Sequence, residues 1–343
     1  MELAGNAVFV AAQLNRARPV SWLLDTASAR SSIDPDAARE TGFSPPSQAL
    51  LALPGVEIAD AHLDVKSFDS LGAWYGHPVR GVLGVDLLTH LVAEIDYARL
   101  SSELYDQNSF GSAGRAEKLD IRWISGLPAV RARLRLAGRT LDGDFLLNTA
   151  GSVGIVVSHG FLASHRMLPF AGKTTPTALI EAAGETTVPL TRGEWLELGS
   201  VRISQPLVAI APEENPSGAA GWIGGEILRK FRLVLDFSAS RIFLEPNRDF
   251  IFPLAADASG ITLVAAGPGS NVFEIHDVAD NSPAAQAGLA PGDRIVAVDG
   301  APVSDLSLDQ VRDWLRQAGE TRDLTIRRLG RELKLQIKLR SLL

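Results

Sequence analysis

The sequence contains no cysteine, so disulfide bonds, cysteine nucleophiles and thiolate metal sites are excluded. It has no run rich in Lys or Arg, and its net charge of −7 argues against a nucleic-acid-binding surface. No apolar stretch approaches the roughly 20 residues of a transmembrane helix, and the six histidines show no metal-ligand spacing. We therefore expect no metal or other cofactor, no nucleic acid and no membrane span.

The remaining composition is that of a folded protein. Of the 343 residues, 46% are hydrophobic and 21% are charged, which predicts two or three domains with full cores. The chain begins almost directly on a strand pattern at residues 6–14. No signal peptide precedes this strand, as expected for a mature form or for a form whose leader was removed.

Two short motifs occur twice, in the same order. Residues 22–27, Trp-Leu-Leu-Asp-Thr-Ala, are matched by residues 145–150, Phe-Leu-Leu-Asn-Thr-Ala. Residues 81–88, Gly-Val-Leu-Gly-Val-Asp-Leu-Leu, are matched by residues 221–228, Gly-Trp-Ile-Gly-Gly-Glu-Ile-Leu. Two ordered matches in each half predict an internal duplication.

The first motif carries candidate catalytic residues. An aspartic peptidase needs two carboxylates that share one proton, because like charges about 3 Å apart cannot both ionise. A duplicated loop with Asp-Thr after two hydrophobic residues has the layout that supplies such a pair. Asp25 is one candidate, but Asn148 occupies the other position. Asn keeps the shape of a protonated Asp but has no ionisable proton, so the chain is predicted to be inactive or very slow. For each residue alone, an ordinary turn or loop cap is the alternative.

Turn and strand patterns divide the chain into three units. Residues 1–105 and 118–255 contain short alternating apolar and polar runs, which indicate two β-rich halves. Residues 106–117 are rich in Ser, Gly and Asn and indicate a linker. Residues 256–343 combine strand patterns with helix signals. The predicted fold is therefore mainly β, with a third unit of mixed α and β structure.

At these positions the sequence resembles a known family. The loops at Asp25 and Asn148 look like the catalytic Asp-Thr-Gly loops of retropepsin-like aspartic peptidases, and residues 82–84 and 222–224 look like that family's hydrophobic-hydrophobic-Gly segments. The whole order resembles bacterial proteins with two such lobes followed by a PDZ domain, which residues 282–293 mark. The resemblance implies a pseudo-dimer of two acid-protease lobes, an endopeptidase (hydrolase) acting on polypeptides, and an exported or periplasmic location.

The resemblance also assigns supporting roles around the two catalytic positions. Thr26 and Thr149 match the threonines whose hydroxyls cross to the opposite loop and brace the pair. Ala27 and Ala150 stand where Gly is usual, and a methyl group there could crowd a substrate or forbid a glycine-only φ. Because Ala occurs in both halves, we interpret it as a tolerated symmetric variant.

The second half is longer than the first. The catalytic position precedes the Gly motif by 56 residues in the first half (81 − 25) and by 73 in the second (221 − 148), an excess of 17. Residues 177–190 have strand-like arms around Ala183, Gly184 and Glu185. They resemble the family's flap, a hairpin that closes over bound substrate. An ordinary surface hairpin is the alternative.

The PDZ-like unit implies a peptide ligand, with the carboxyl end of a free peptide as the candidate. In this family a loop and strand hold the terminal carboxylate through backbone N–H groups, and the peptide is added as a further strand. The residues assigned to this site are Gly260, Ile261, Thr262, Leu263, Val311 and Leu315. For each apolar member, simple core packing is the alternative.

Two functions from different classes follow. The first is aspartic endopeptidase-type handling of an extended polypeptide between two lobes. The alternative is a non-catalytic peptide-binding protein, a pseudopeptidase or PDZ adaptor, and a purely structural scaffold is a third reading. Restoring Asp at position 148 separates the first two. Asn148 marks either an engineered inactive form or a natural degenerate copy.

Overall fold

The computed structural model of the protein describes residues 1–45, 47–106, 110–111, 114, 116–181, 184–212 and 218–343. The chain divides into two compact units. Unit 1 comprises Met1–Phe68, Val79–Gly172 and Arg192–Leu254. Unit 2 comprises Asp69–Pro78, Lys173–Thr191 and Ala255–Leu343.

Strands dominate both units, which confirms the predicted mainly β fold. The strands of the first half are β1 (Glu2–Ala4), β2 (Ala7–Leu14), β3 (Val20–Leu24), β4 (Ser32–Ile33), β5 (Ala49–Leu53), β6 (Val56–Ala61), β7 (Asp64–Val65), β8 (Gly81–Leu83), β9 (Leu91–Asp96) and β10 (Ser101–Asp106). Those of the second half are β11 (Glu117–Asp120), β12 (Arg122–Ile124), β13 (Leu127–Leu136), β14 (Arg139–Asn148), β15 (Ile155–Val157), β16 (Thr175–Glu181), β17 (Gly184–Arg192), β18 (Trp195–Leu198), β19 (Val201–Ser204), β20 (Leu207–Ile210), β21 (Gly221–Gly224), β22 (Phe231–Asp236) and β23 (Arg241–Pro246). The last strands are β24 (Ile261–Ala265), β25 (Phe273–Val278), β26 (Arg294–Val298), β27 (Ala301–Pro302), β28 (Thr321–Arg328) and β29 (Arg331–Lys338).

The helices are short, at four to eight residues each. They are α1 (Pro35–Thr41), α2 (Asp69–Tyr75), α3 (Val85–Leu88), α4 (His159–Ser164), α5 (Gly225–Leu228), α6 (Pro283–Gln286) and α7 (Leu308–Leu315). The Asp34 carboxylate accepts two backbone N–H groups of the first turn of α1, and Gly42 ends that helix at φ 66°. Ser307 and Gln310 form a reciprocal capping box on α7. Among the described residues, none of the helices has the length and hydrophobicity of a membrane span.

The two halves of unit 1 repeat one strand arrangement. The first half forms a sheet in the order β6-β5-β2-β3-β8-β4-β7, with β1 beside β2. The second half contains the order β20-β15-β21-β14-β13-β18-β19, with β12 beside β13. In the first, β8 runs parallel to β3 and antiparallel to β4; in the second, β21 runs parallel to β14 and antiparallel to β15. The duplicated sequence motifs therefore form duplicated local structures.

A further sheet joins the two halves, in the order β10-β9-β22-β23-β11. Two adjacent strands of this sheet, β9 and β22, each follow one copy of the Gly motif, and they pair with each other in antiparallel register. Arg232 on β22 forms ion pairs with Glu94 at 2.6 Å and Glu245 at 2.8 Å. One strand from each half thus pairs with its counterpart in the other half.

The end of the chain forms the sheet of unit 2. Its order is β24-β25-β26-β28-β29, with β27 beside β26. The buried core beneath this sheet includes Ile261, Leu263, Phe273, Ile275, Ile295, Val298, Val311, Leu315, Leu324 and Ile326. The helix α7 contributes Leu308, Val311 and Leu315 to this core, which accounts for their helical spacing. The mixed α and β structure predicted for the end of the chain is confirmed, while the structure also assigns residues 69–78 and 173–191 to the same unit.

Candidate functional site

Asp25 lies where β3 leaves its sheet. Leu24 at the end of β3 is in register with Leu83 on β8, and the Asp25 N–H donates to the Leu83 carbonyl at 3.0 Å. The next residue, Gly84, donates its N–H to the Ser31 hydroxyl at 2.9 Å. A side chain at Gly84 would meet the Arg30 backbone at 2.6 Å, so the hydrophobic-hydrophobic-Gly motif allows this strand to pass close behind the Asp25 loop.

Asn148 occupies the equivalent place in the second half. It is the last residue of β14 and is in register with Gly224 on β21. The Gly224 N–H donates to the Gly154 carbonyl at 2.9 Å. A Cβ atom at Gly224 would lie 2.0 Å from the Val153 carbonyl oxygen. The glycine requirement is thus the same behind both loops.

Crossed hydrogen bonds join the two loops through Thr26 and Thr149. The Thr26 hydroxyl donates to the Leu147 carbonyl at 2.8 Å and accepts the Thr149 N–H at 3.1 Å. The Thr149 hydroxyl donates to the Leu24 carbonyl at 2.7 Å and accepts the Thr26 N–H at 3.2 Å. Both threonines are fully buried. This reciprocal pattern brings the loops of Asp25 and Asn148 side by side.

The Asp25 carboxylate is held within its own loop. It accepts the Ala27 N–H on Oδ1 at 2.9 Å and the Ser28 hydroxyl on Oδ2 at 2.6 Å. Burial raises the pKa of Asp25 above its ordinary value, because desolvation of the charged form outweighs the hydrogen bonds from Ser28 and Ala27 that favour it. A carboxyl group with a raised pKa can take up and release a proton nearer to neutral pH.

The Asn148 side chain makes the equivalent of one of the two hydrogen bonds that Asp25 makes. Its Oδ1 accepts the Ala150 N–H at 3.1 Å, as Asp25 accepts that of Ala27. Neither Ala27 nor Ala150 has a positive φ, so neither position requires glycine for its backbone conformation. Asn148 therefore binds the backbone of its own loop as Asp25 does, but its amide has no ionisable proton. Direct pairing of the Asp25 and Asn148 side chains stays a prediction.

The crossed threonine bonds lead to a prediction on stability. Thr26→Ala removes two buried hydrogen bonds and leaves the Leu147 carbonyl and the Thr149 N–H without their partner, so we expect a loss of about 2–4 kcal/mol in the free energy of unfolding. Thr26→Ser keeps the hydroxyl and should lose only about 1 kcal/mol. Urea unfolding of both variants measures the difference. Equal losses would mean that the hydroxyl does not brace the loops.

The raised pKa of Asp25 leads to a prediction on pH dependence. The folded carboxyl binds its proton more tightly than the unfolded one, so this contribution to stability is complete below about pH 4 and is lost as the pH rises through the folded pKa. Asn has no such dependence. The stability of the unmodified protein relative to Asp25→Asn should therefore fall between pH 4 and pH 7, as measured by urea unfolding at both. A relative rise would contradict the assigned direction.

The candidate flap forms a hairpin that belongs to unit 2. Its arms are β16 and β17, which pair from Thr175↔Leu190 to Glu181↔Gly184. Gly184 has φ 134°, and the Glu185 carboxylate lies 2.8 Å from Nε2 of His276 on β25. Ala183 lies outside the described residues. The first half has a shorter hairpin, formed by β5 and β6. Closure of residues 184–185 over Asp25 stays a prediction.

The candidate peptide site of unit 2 has internal partners already. The Gly260 N–H donates to the Asp257 carboxylate, and the Ile261 N–H donates to the Ser259 hydroxyl at 3.1 Å. Thr262 and Leu263 lie on the edge strand β24. Val311 and Leu315 are 0% and 1% exposed in the core. A charged substitution at either position would destabilise the fold, so a loss of peptide binding would not by itself identify a pocket.

Several residues that shape these sites were not found from the sequence. They are Ser28 on the Asp25 carboxylate, Ser31 behind the first loop, Asp257 just before β24, and Trp74 with Arg312 beside β24. An Asp two residues before Ser-Gly is a turn signal that could have identified Asp257. In the part of the chain that the structure describes, no cluster of His, Asp and Glu has the arrangement of a metal site.

Comparison with known proteins identifies one domain. Residues 274–328 match the family model of the PDZ domain, which confirms the predicted PDZ unit. No curated protein matches the chain.

Parts of the chain are also similar to solved structures. The aspartic proteinase from Irpex lacteus is 14% identical, with 72% of this chain and 95% of that chain covered and a TM-score of 0.45. The PDZ domain of HtrA3 bound to a phage-derived ligand is 24% identical, with 25% of this chain and 86% of that chain covered and a TM-score of 0.22. A photosystem II D1 C-terminal processing protease is 29% identical over 24% of this chain, with a TM-score of 0.22, and the match spans only 22% of that protease.

Proposed function

We propose that this chain is an aspartic-endopeptidase-type protein whose two retropepsin-like lobes hold an extended polypeptide, and that Asn148 makes it inactive or very slow. The observation that carries the proposal is the reciprocal bonding of Thr26 and Thr149. All four buried hydrogen bonds join one loop to the other, and none lies within a single lobe. Such bonds between lobes are needed when each lobe supplies one catalytic side chain to a shared reaction centre.

In this function Asp25 is the proton acceptor. An ionised Asp25 would take a proton from a water molecule, and the partner side chain would donate to the substrate carbonyl. The amide of Asn148 can donate a hydrogen bond to that carbonyl but cannot transfer a proton. Substrate can therefore be polarised and positioned, while the proton cycle is incomplete.

The second candidate is a non-catalytic peptide-binding protein. The observation that favours it is Asn148 itself, which keeps the bonding pattern of the loop through Ala150 and lacks only the chemistry. The PDZ match also favours peptide ligands, since domains of this kind bind peptides beside a sheet edge. Such a protein would retain an extended chain without cleaving it.

One substitution separates the two functions. The Asn148→Asp variant is incubated with an unstructured protein, and cleavage products are identified by mass spectrometry. Binding of that unstructured protein to the variant is measured in parallel. Cleavage supports the peptidase function. Retained binding with no cleavage from pH 3 to pH 8 supports the non-catalytic one, and loss of both leaves neither function standing.

A further inference from the structure

The edge of β24 in unit 2 is the place where a PDZ domain adds a peptide as a strand. Among the described residues, β24 pairs with β25 alone. Ile275, opposite Leu263, donates its N–H to the Asp293 carbonyl and accepts the Gly292 N–H, both at 2.8 Å and both away from β24. Leu263 therefore directs its own N–H and carbonyl to the free edge, where an added strand would bond.

A segment of unit 2 that comes from elsewhere in the sequence lies beside this edge. Residues 69–78 include α2, which packs along β24. A Cβ atom at Gly72 would lie 2.9 Å from Cβ of Pro268, and one at Gly76 would lie 3.0 Å from Cβ of Leu308 on α7. Since both contact points are glycines, the segment's backbone approaches more closely than other side chains would allow.

Arg312 on α7 connects this segment to the edge strand. Its Nη2 donates to the Leu263 carbonyl at 2.7 Å and to the Trp74 carbonyl at 2.8 Å. The guanidinium carbon lies 4.5 Å from the centre of the Trp74 ring, and the Arg312 side chain is 14% exposed. Arg312 thus uses the carbonyl that an added strand would need, and the cation stacks on the segment's indole.

The loop that should receive a terminal carboxylate holds one from its own chain. The Asp257 carboxylate accepts the Ser259 N–H at 3.1 Å, the Ser259 hydroxyl at 2.7 Å and the Gly260 N–H. The Ile261 N–H is taken by the Ser259 hydroxyl. These N–H groups are therefore already satisfied without an incoming peptide.

We propose that residues 69–78 are the resident ligand of the PDZ groove. The groove recognises this segment by the Trp74 indole and the Trp74 carbonyl, and the Asp257 carboxylate takes the place of a peptide's terminal carboxylate. The PDZ unit then serves first as an internal dock for this segment. A tethered ligand has an effective concentration of the order of millimolar, so external peptides compete poorly until the segment leaves. Free-carboxylate and amidated peptides should also bind the groove alike.

Hydrogen exchange of the full-length protein tests the docking directly. Two variants act on the segment and leave the groove unchanged: Trp74→Ala removes the indole, and Gly72→Leu places a side chain against Pro268. We expect amide exchange of residues 69–78 and of Leu263 to rise at least tenfold in each. Trp123→Ala, at an exposed tryptophan of unit 1, is the matched control and should leave it unchanged. Exchange in both variants within twofold of the control would overturn the proposal, and Trp74→Ala decides it if Gly72→Leu does not fold.

A binding experiment on the same proteins tests the identity of the ligand. The probe is a peptide of residues 69–78 with acetylated and amidated ends, so that it carries no free carboxylate. It should bind Trp74→Ala at least tenfold more tightly than the unmodified chain, and a probe with Ala in place of its tryptophan should not. Equal affinity of the probe for the variant and the unmodified chain, or a tenfold preference of the opened groove for the free-acid form, would refute the proposal.

Discussion

Asn148→Asp should raise kcat/KM for an unstructured protein substrate by at least about 10²-fold, and up to about 10⁴-fold or more. The bonds that hold the loops do not depend on this side chain's charge, since Thr26 and Thr149 join them through hydroxyl, N–H and carbonyl groups. Only the missing ionisable proton is restored. Peptide products are counted by mass spectrometry against time, with the unmodified chain measured beside the variant.

The control for this gain is the same substitution without Asp25. The double variant Asn148→Asp with Asp25→Asn should return to the background rate, because one acid cannot serve as both proton acceptor and donor. Cleavage by the unmodified chain that survives Asp25→Ala would exclude the pair as the source of activity. The comparison therefore distinguishes cleavage that depends on positions 25 and 148 from cleavage by a contaminating protease.

Gly224→Ala should destabilise unit 1 by at least about 3 kcal/mol. The added Cβ atom would lie 2.0 Å from the Val153 carbonyl oxygen and 3.0 Å from that of Gly151. Both are backbone atoms of the loop that follows Asn148, so neither can turn away as a side chain would. A loss of this size is a large part of the 5–15 kcal/mol that holds a typical domain folded.

Gly111→Ala is the matched control, since an added Cβ atom there meets nothing within 4 Å. We expect it to change the free energy of unfolding by less than about 0.5 kcal/mol. Urea unfolding followed by circular dichroism measures both variants. A Gly224→Ala protein as stable as the control would show that β21 does not pass as closely behind the Asn148 loop as described.

The duplicated loops could be recognised from the sequence because their constraints are local. An apolar strand, a turn with Asp or Asn, and a glycine at the point of close approach leave the same pattern in each half. The helical spacing of Leu308, Val311 and Leu315 was visible for the same reason. The structure places these three side chains in the core of unit 2, which is the alternative that the spacing alone left open.

The contact between Trp74 and Arg312 could not be recognised in this way. Trp74 and Arg312 are 238 residues apart in the sequence, and neither carries a local signal of the other. Likewise, β9 and β22 are strands of ordinary composition that pair across a long separation in the sequence. Long-range partners of this kind depend on the packing of whole units.

The central claim is that two loops from two halves form one reaction centre, and one distance tests it most directly. In a crystal structure of the unmodified protein, a carboxylate oxygen of Asp25 should lie about 3 Å from the side-chain amide of Asn148, or share one water molecule with it. The crossed threonine bonds hold the backbone in place for such a pair. A separation of more than about 6 Å, too long for a shared water, would contradict the account.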